Sequence, residues 1–103
     1  MTEEILQRLV QCQEGSFPVA LATIISTQGS TPCKIGTKML IFPDGRTVGT
    51  IGGGCAEAEV RLKALTVLDQ VRPCVTTISL LAADAADAGM VCGGIMDVFI
   101  QPV

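Results

Sequence analysis

Three short segments combine glycine with cysteine, hydroxyl or ammonium groups, and they hold the residues best suited to chemistry. The most informative segment is Gly52-Gly53-Gly54-Cys55, between a predicted strand and a predicted helix. Glycine lets backbone N–H groups face a ligand without an intervening Cβ. A helix N-terminus adds unpaired N–H groups and partial positive charge. The segment is therefore predicted to cradle a phosphate or similar oxyanion; a tight turn with a buried cysteine is the alternative.

Two side chains at the start of this helix could act on a ligand. The helix dipole favours thiolate at Cys55, so its pKa is expected to fall, which would make the sulfur a nucleophile or a soft metal ligand. Glu57 lies in the first turns. It either complements the dipole or accepts hydrogen bonds from amino or amide groups of a ligand. Its position alone leaves both roles open.

The other two segments offer related groups. The chain reaches its last predicted strand through Cys92-Gly93-Gly94, which repeats the cysteine and glycines in reverse order. Residues 26–37 form a predicted polar loop. Its hydroxyl and ammonium groups suit phosphate, although an ordinary solvated loop remains the alternative for each residue. The phosphate-binding candidates at this loop are Ser30, Lys34 and Lys38.

Composition excludes several classes of site. The 103 residues include no histidine, so a Ser-His-Asp triad, a Cys-His pair and a His-ligated metal site are ruled out. The net charge of −3 disfavours nonspecific binding to nucleic acid or to an anionic membrane. No apolar run approaches the roughly 20 residues of a membrane span.

The five cysteines predict a reduced, cytoplasmic protein. They lie 18 to 22 residues apart with no CxxC pair, which disfavours a zinc ribbon, a thioredoxin-type pair and an iron–sulfur cluster. Their number is odd, and the acidic N-terminus is unlike a signal peptide. Cys12 and Cys74 are interpreted as packing residues, whereas Cys33 stays open.

Hydrophobic periodicity supplies the elements that must position these loops. A helix over 2–15 is expected to bury Ile5, Leu6, Leu9 and Val10, and a helix over 55–71 Val60, Ala64, Val67, Leu68 and Val71. The apolar run 19–25 predicts a central strand covered on both faces. Further strands are predicted over 39–42, 47–51, 74–80 and 95–101, with a hairpin turn over 43–46 and a helical turn near Asp84.

These elements predict a single domain over 1–103. Its fold class is α/β, with α+β as the alternative, and it has about five strands in a mixed sheet with two main helices. Charged residues make up only 17%, against the ~25% typical of soluble domains. Together with the two-sided apolar strand, this suggests that the chain forms a homodimer.

Four segments in the same order resemble the N-terminal domain of the XdhC/CoxI family, accessory proteins of xanthine dehydrogenase and carbon monoxide dehydrogenase. They are Ala22–Pro32, Gly36–Met39, Asp44–Glu57 and Gly89–Gly94, and the resemblance extends from about Val19 to Val103. It implies a chaperone rather than a catalyst. Such a protein binds molybdenum cofactor as cargo, protects it during sulfuration and delivers it to a molybdenum hydroxylase.

The resemblance also implies partners and site residues. The client would be a hydroxylase of the xanthine or carbon monoxide dehydrogenase type, and a cysteine desulfurase is a candidate partner. Cys55 is the residue associated with cofactor binding, as a candidate contact to molybdenum, and Cys92 is its companion by motif. Glycine-turn amides would suit the phosphate of the cofactor and Glu57 the nitrogens of its pterin.

Two departures from the family pattern are visible. Family members usually carry arginine after the loop proline, where this chain has Cys33 followed by Lys34, so Lys34 would act as a point charge without bidentate geometry. Many members also have a C-terminal dinucleotide-binding domain, whose role is expected either to be absent here or to be supplied by a separate protein.

The residues leave two alternative functions open. One is a small nucleotide- or dinucleotide-binding module, although G-x-G-x-x-G fails because its third glycine is replaced by Glu57. The other is a thiol enzyme using Cys55, with Cys92 or Cys33 as resolving thiol.

Overall fold

The computed structural model describes residues 3–15, 17–31, 33–79 and 94–103. These residues form two helices, α1 (Glu3–Glu14) and α2 (Gly54–Gln70). They also form five strands: β1 (Ala20–Gln28), β2 (Lys38–Ile41), β3 (Thr47–Gly49), β4 (Cys74–Ser79) and β5 (Ile95–Pro102). The predicted fold class, with five strands and two helices, is confirmed. The helical turn expected near Asp84 lies outside the described residues.

The five strands form one sheet in the order β3-β2-β1-β5-β4, and every neighbouring pair is antiparallel. The expected mixed sheet is wrong in this respect. Helix α2 joins β3 to β4, which run in the same direction. These two strands lie at opposite edges of the sheet, so the crossover creates no parallel neighbours. As predicted, β1 is the central strand.

Each face of the sheet carries one helix and one cluster of buried side chains. The larger cluster joins alternate residues of the sheet to α2, through Ala56, Val60, Ala64 and Val67. The smaller cluster joins α1 to β1, β2 and β3, through Ile5, Leu9 and Cys12. Strand β1 contributes Leu21 to one cluster and Ala22 to the other, so the prediction that it is covered on both faces is confirmed.

Several side chains predicted to be buried are exposed, because the covering elements do not reach them. On α1 the buried stripe is Ile5, Leu9 and Cys12, whereas Leu6 and Val10 are 53% and 45% exposed. Val71 is 71% exposed, because it lies beyond the last turn of α2 in a left-handed conformation, with φ of 54°. The packing role expected of Cys12 is confirmed, and Cys74 is partly buried against the larger cluster.

Two strand boundaries differ from the sequence prediction by more than one residue. Strand β1 continues through Ser26 to Gln28, where a loop was expected, because β5 supplies backbone partners as far as Gln28 opposite Ile95. Strand β3 stops at Gly49 rather than at residue 51. Gly49 has a φ of 89°, outside the range of a regular strand. The pairing of β3 with β2 ends at this residue, opposite Met39. Neither described helix is long and apolar enough to cross a bilayer.

A polar network links three strands beside an irregularity in the β1–β5 register. The Asp97 carboxylate accepts hydrogen bonds from Ser26 Oγ at 2.7 Å and Thr77 Oγ1 at 2.6 Å. The irregularity lies between Ile24 and Ser26 and turns the Ser26 hydroxyl toward Asp97. The Thr77 hydroxyl, followed by that of Ser26, lowers the pKa of Asp97 because both donate to its ionised form.

Asp97→Asn should therefore destabilise the domain in a pH-dependent way. The folded pKa of Asp97 lies below the unfolded value of about 3.9. Its stabilising contribution is thus present above that value and lost as pH falls through the folded pKa. Urea midpoints measured at pH 7 and at an acidic pH below the unfolded pKa should show the larger difference between the variant and the parent at pH 7. Asp69→Asn, at an exposed position on α2, is the control. An equal gap at both pH values would contradict the prediction.

Candidate functional site at one end of the sheet

Each of the five strands has one end that borders a predicted binding loop, and the strand register places these five ends at the same end of the sheet. The last residue of β1, Gln28, lies opposite Ile95, the first residue of β5, and Ser79 at the end of β4 faces Ile95 from the other side. The start of β2 and the end of β3 meet at Met39 opposite Gly49. Residues 29–37, the glycine turn over 50–53 and Gly94 therefore all leave the sheet at this end.

The glycine turn adopts a backbone path that only glycine follows readily. Gly52, Gly53 and Gly54 have φ angles of 128°, 76° and 61°. Gly53, the N-cap of α2, has a ψ of 179°, a combination that L side chains avoid. Ile51, immediately before the turn, is completely buried in the larger cluster and fixes the turn to the core. Three consecutive glycines thus allow the chain to pass from a buried position directly into a helix.

The carboxylate of Glu57 is hydrogen-bonded to two residues of the glycine turn. Its Oε2 accepts a hydrogen bond from the Gly53 amide at 2.8 Å and another from the Thr50 hydroxyl. The Oγ1 of Thr50 in turn accepts from the Gly52 amide at 3.1 Å. This arrangement is a capping box extended by one residue, in which an acidic side chain reaches back to the N-cap amide. Two of the turn amides predicted to meet an oxyanion therefore already have acceptors within the chain.

Thr50 was not singled out from the sequence. A hydroxyl residue and a glutamate that flank the glycines form a recognisable capping signal, but the usual spacing between N-cap and acidic residue is three, not four. Asp97, Ser26 and Thr77 were also missed, because their contacts depend on the pairing of strands distant in the chain.

Gly94 packs directly against the loop that holds Ser30. A Cβ added at Gly94 would lie 2.7 Å from the Ser30 carbonyl carbon, 2.6 Å from Thr31 Cγ2, and closer still to the Ser30 carbonyl oxygen. Real Cβ atoms do not approach backbone this closely, so the contact requires glycine. Gly94 itself is buried. The structure therefore brings the end of the third predicted segment into contact with the first.

Backbone hydrogen bonds hold the end of the 29–37 loop against β1. Gly36 donates to the Ile24 carbonyl at 2.8 Å, and Ile24 donates to the Thr37 carbonyl at 3.0 Å. Lys34 is exposed, and its carbonyl accepts from the Thr37 hydroxyl at 2.7 Å. The ammonium of Lys38 donates to the Gly36 carbonyl at 3.4 Å. Both lysines therefore lie at the same end of the sheet as the glycine turn, with ammonium groups not committed to an ion pair among the described residues.

The cysteines are only partly covered by the structure. Cys33 is partly buried against the larger cluster, so this half-exposed thiol has a packing role. Cys92, Gly93 and the side chain of Cys55 lie outside what the structure describes. Within the described part of the chain, no group of three or more Asp, Glu or Cys side chains is arranged to hold a metal ion.

Comparison with known proteins gives a consistent assignment. The profile of the XdhC and CoxI family matches residues 12–79. An uncharacterized protein of Escherichia coli K12, YqeB, is 39% identical over 98 residues, which are 94% of this chain and 18% of that protein. The molybdenum cofactor insertion chaperone PaoD, also of Escherichia coli K12, is 29% identical over 68 residues, which are 66% of this chain and 21% of PaoD.

A solved structure agrees in fold over most of the chain. The crystal structure of a xanthine dehydrogenase from Bacillus halodurans matches with a TM-score of 0.76 and 30% identity, over 94% of this chain and 30% of that one. The chain thus spans less than a third of each protein compared here. Since the family profile covers about two thirds of its 103 residues, the chain belongs to the XdhC and CoxI family.

Proposed function

We propose that this chain, acting as a single family-type domain, binds molybdenum cofactor as cargo. It delivers the cofactor to a molybdenum hydroxylase of the xanthine or carbon monoxide dehydrogenase type, in the cytoplasm and without catalysing a reaction itself. Family membership and similarity to PaoD, which is named an insertion chaperone for this cofactor, support the proposal. The observation that carries it is the emergence of the glycine turn, the 29–37 loop and Gly94 from one end of the sheet.

The contacts of Glu57 suggest how the parts of the cofactor are distributed. Its Oε2 occupies the Gly53 amide, so a phosphate could take that amide only by displacing a like-charged carboxylate. A pterin edge with N–H groups has the opposite polarity and suits the remaining oxygen of Glu57. We therefore assign the pterin to the glycine turn. The phosphate goes to the ammonium groups of Lys34 and Lys38, which bind phosphate as point charges.

Sulfur chemistry is assigned by motif and by chemical type. Cys55 follows the glycine turn on the first turn of α2, where a helix N-terminus favours thiolate. Thiolate is a soft ligand suited to molybdenum or to its sulfido group. Cys92 precedes Gly94 by two residues and is the proposed companion thiol. A cysteine desulfurase is the proposed partner that supplies sulfur, and a homodimer is the proposed assembly.

The alternative functions draw less support from the fold. In dinucleotide-binding domains the glycine turn follows a strand of a parallel sheet. Here the turn follows β3, a short edge strand in an antiparallel sheet, and the Glu57 carboxylate already accepts a hydrogen bond from the Gly53 amide. A thiol enzyme using Cys55 would need a second thiol close by, and the described Cys33 is packed against the core.

Retention of cofactor during purification tests the proposal. The chain would be expressed in a host that makes molybdenum cofactor, purified anaerobically, and analysed for bound molybdenum and for the fluorescence of oxidised pterin. We expect close to one pterin per chain. Glu57→Gln should reduce this content by about tenfold, because a charge-assisted hydrogen bond to the pterin is lost. Cys55→Ser should also reduce it.

Matched variants separate binding from folding. Glu59→Gln removes a neighbouring exposed charge from α2, and Cys74→Ser removes a thiol at the opposite end of the sheet; both should retain the parental pterin content. Parental chain that purifies without pterin or molybdenum would overturn the proposed function. Full retention by Cys55→Ser would remove the thiol from it while leaving the pterin site intact.

A further inference from the structure

A groove of about 430 Å³ lies at the end of the sheet remote from the glycine turn. It separates the C-terminal half of α1 from the β2–β3 turn over 43–46. Strand β2 runs from Lys38 at the glycine-turn end to Ile41 beside the groove, so the two sites are divided by the length of that strand. The volume falls within the range of small-molecule sites. Nothing in the proposed cofactor site uses this groove.

Rings of phenylalanine and proline form its apolar walls. Phe42 is partly buried against the smaller core cluster, whereas Phe17 is 65% exposed at the rim. The backbone of Phe17 is nevertheless held in place, because its amide donates to the Cys12 carbonyl at 2.8 Å. Its ring also covers Gly15 so closely that a Cβ there would lie within 2.7 Å of it. Pro18 and Pro43 complete the walls, so the apolar part of the lining consists of four rings with few rotatable bonds to order on binding.

Two guanidinium groups add positive charge beside these rings. The Cζ atoms of Arg8 and Arg46 lie 5.8 and 5.7 Å from the centroid of the Phe42 ring, at cation–π distance. Arg46 is also paired with Asp44 at 2.6 Å. Arg8 has no ion-pair acceptor among the described residues. The groove therefore carries one uncompensated cation next to an aromatic floor, in a chain of net charge −3.

We propose that this groove binds a small planar aromatic anion, a ring system carrying a carboxylate or a phosphate. The ring would lie against Phe17, whose side chain is 65% exposed, beside the Phe42 ring that the two guanidinium groups already cover. The anionic group would meet Arg8, whose guanidinium is free to make a bidentate pair. A neutral ring would leave Arg8 uncompensated, and a small anion without a ring would leave Phe17 exposed. The combination of both features defines the ligand class.

Titration of the ¹⁵N-labelled chain with 2-naphthoate tests this site by NMR. We expect amide shifts around Phe17, Phe42 and Arg46 that saturate with a Kd in the micromolar to millimolar range. 2-Naphthalenemethanol, a neutral probe of the same shape, should bind about fivefold more weakly, and so should naphthoate to Arg8→Gln. Lys63→Gln, which removes an exposed cation from α2, should leave the affinity unchanged.

Three results would overturn the proposal. Equal affinity for naphthoate and its alcohol, shifts confined to another surface, or equal losses in Arg8→Gln and Lys63→Gln would each refute an anion site in the groove. Sedimentation that showed Phe17→Ala dissociating a dimer would instead assign the groove to a second copy of the chain. Pterin retention is measured separately, so failure here leaves the proposed function standing, and the reverse also holds.

Discussion

Replacement of Gly94 by alanine should lower the free energy of unfolding by about 3 kcal/mol, the upper part of the usual cost of overpacking a filled site. The added Cβ would meet the carbonyl group of Ser30 and the methyl group of Thr31 at distances that atoms do not adopt. Because the main obstacle is backbone, no side-chain rotation can relieve it. Either the 29–37 loop or the start of β5 must move. Urea unfolding monitored by circular dichroism would measure the loss.

Gly36→Ala is the matched control for this prediction. Gly36 has a φ of 94°, but an added Cβ would meet no atom within 4 Å. It therefore carries only the cost of a left-handed backbone, roughly 1–2 kcal/mol. Gly94→Ala should cost more than Gly36→Ala, and it should also release bound pterin because it separates two loops of the proposed site. A smaller cost for Gly94→Ala would mean that the loop yields easily, and that the contact does not fix the site.

Ile51→Ala should destabilise the domain by about 3 kcal/mol, within the usual range for truncating a buried isoleucine. Its side chain is completely buried between the sheet and α2. It immediately precedes Gly52, so the cavity would open beneath the glycine turn. We expect the loss of stability to be accompanied by faster amide exchange at Gly52 and Gly53, whose hydrogen bonds to Thr50 and Glu57 depend on the position of the turn.

Ile35→Ala provides the comparison for Ile51. Ile35 is 62% exposed on the loop at the same end of the sheet, so its truncation should change stability by less than about 0.5 kcal/mol. The two variants delete the same atoms and differ in burial. Similar losses for both would show that the turn is not anchored through Ile51.

Sequence periodicity was sufficient for the main elements. The continuous apolar run after residue 18 predicted a central strand, and β1 has buried residues on both faces. The Pro43–Arg46 segment predicted the β2–β3 turn, where the Phe42 amide donates a hydrogen bond to the Arg46 carbonyl. These features follow from local side-chain patterns that a single strand or turn expresses by itself.

Hydrophobic periodicity did not predict burial correctly where burial depended on contact with a second helix or strand. Leu6 and Val10 fit the helical apolar pattern of α1 as well as Ile5 and Leu9 do, but they face away from the sheet. The pattern predicts which side of the helix is apolar, but it does not predict how much of that side the neighbouring sheet covers. In the same way, Ser26 belongs to β1 and not to a loop because β5, distant in sequence, extends alongside it.

The sequence by itself determined the chemical inventory of this protein: no histidine, a glycine turn before a helix, and cysteines within family motifs. Tertiary structure alone decided that Gly94 touches Ser30 and that strand ends far apart in the chain share one end of the sheet. It also decided that Oε2 of Glu57 binds the Gly53 amide. Residue types fix which interactions are possible, whereas strand register and helix docking fix which groups come within hydrogen-bonding or van der Waals distance.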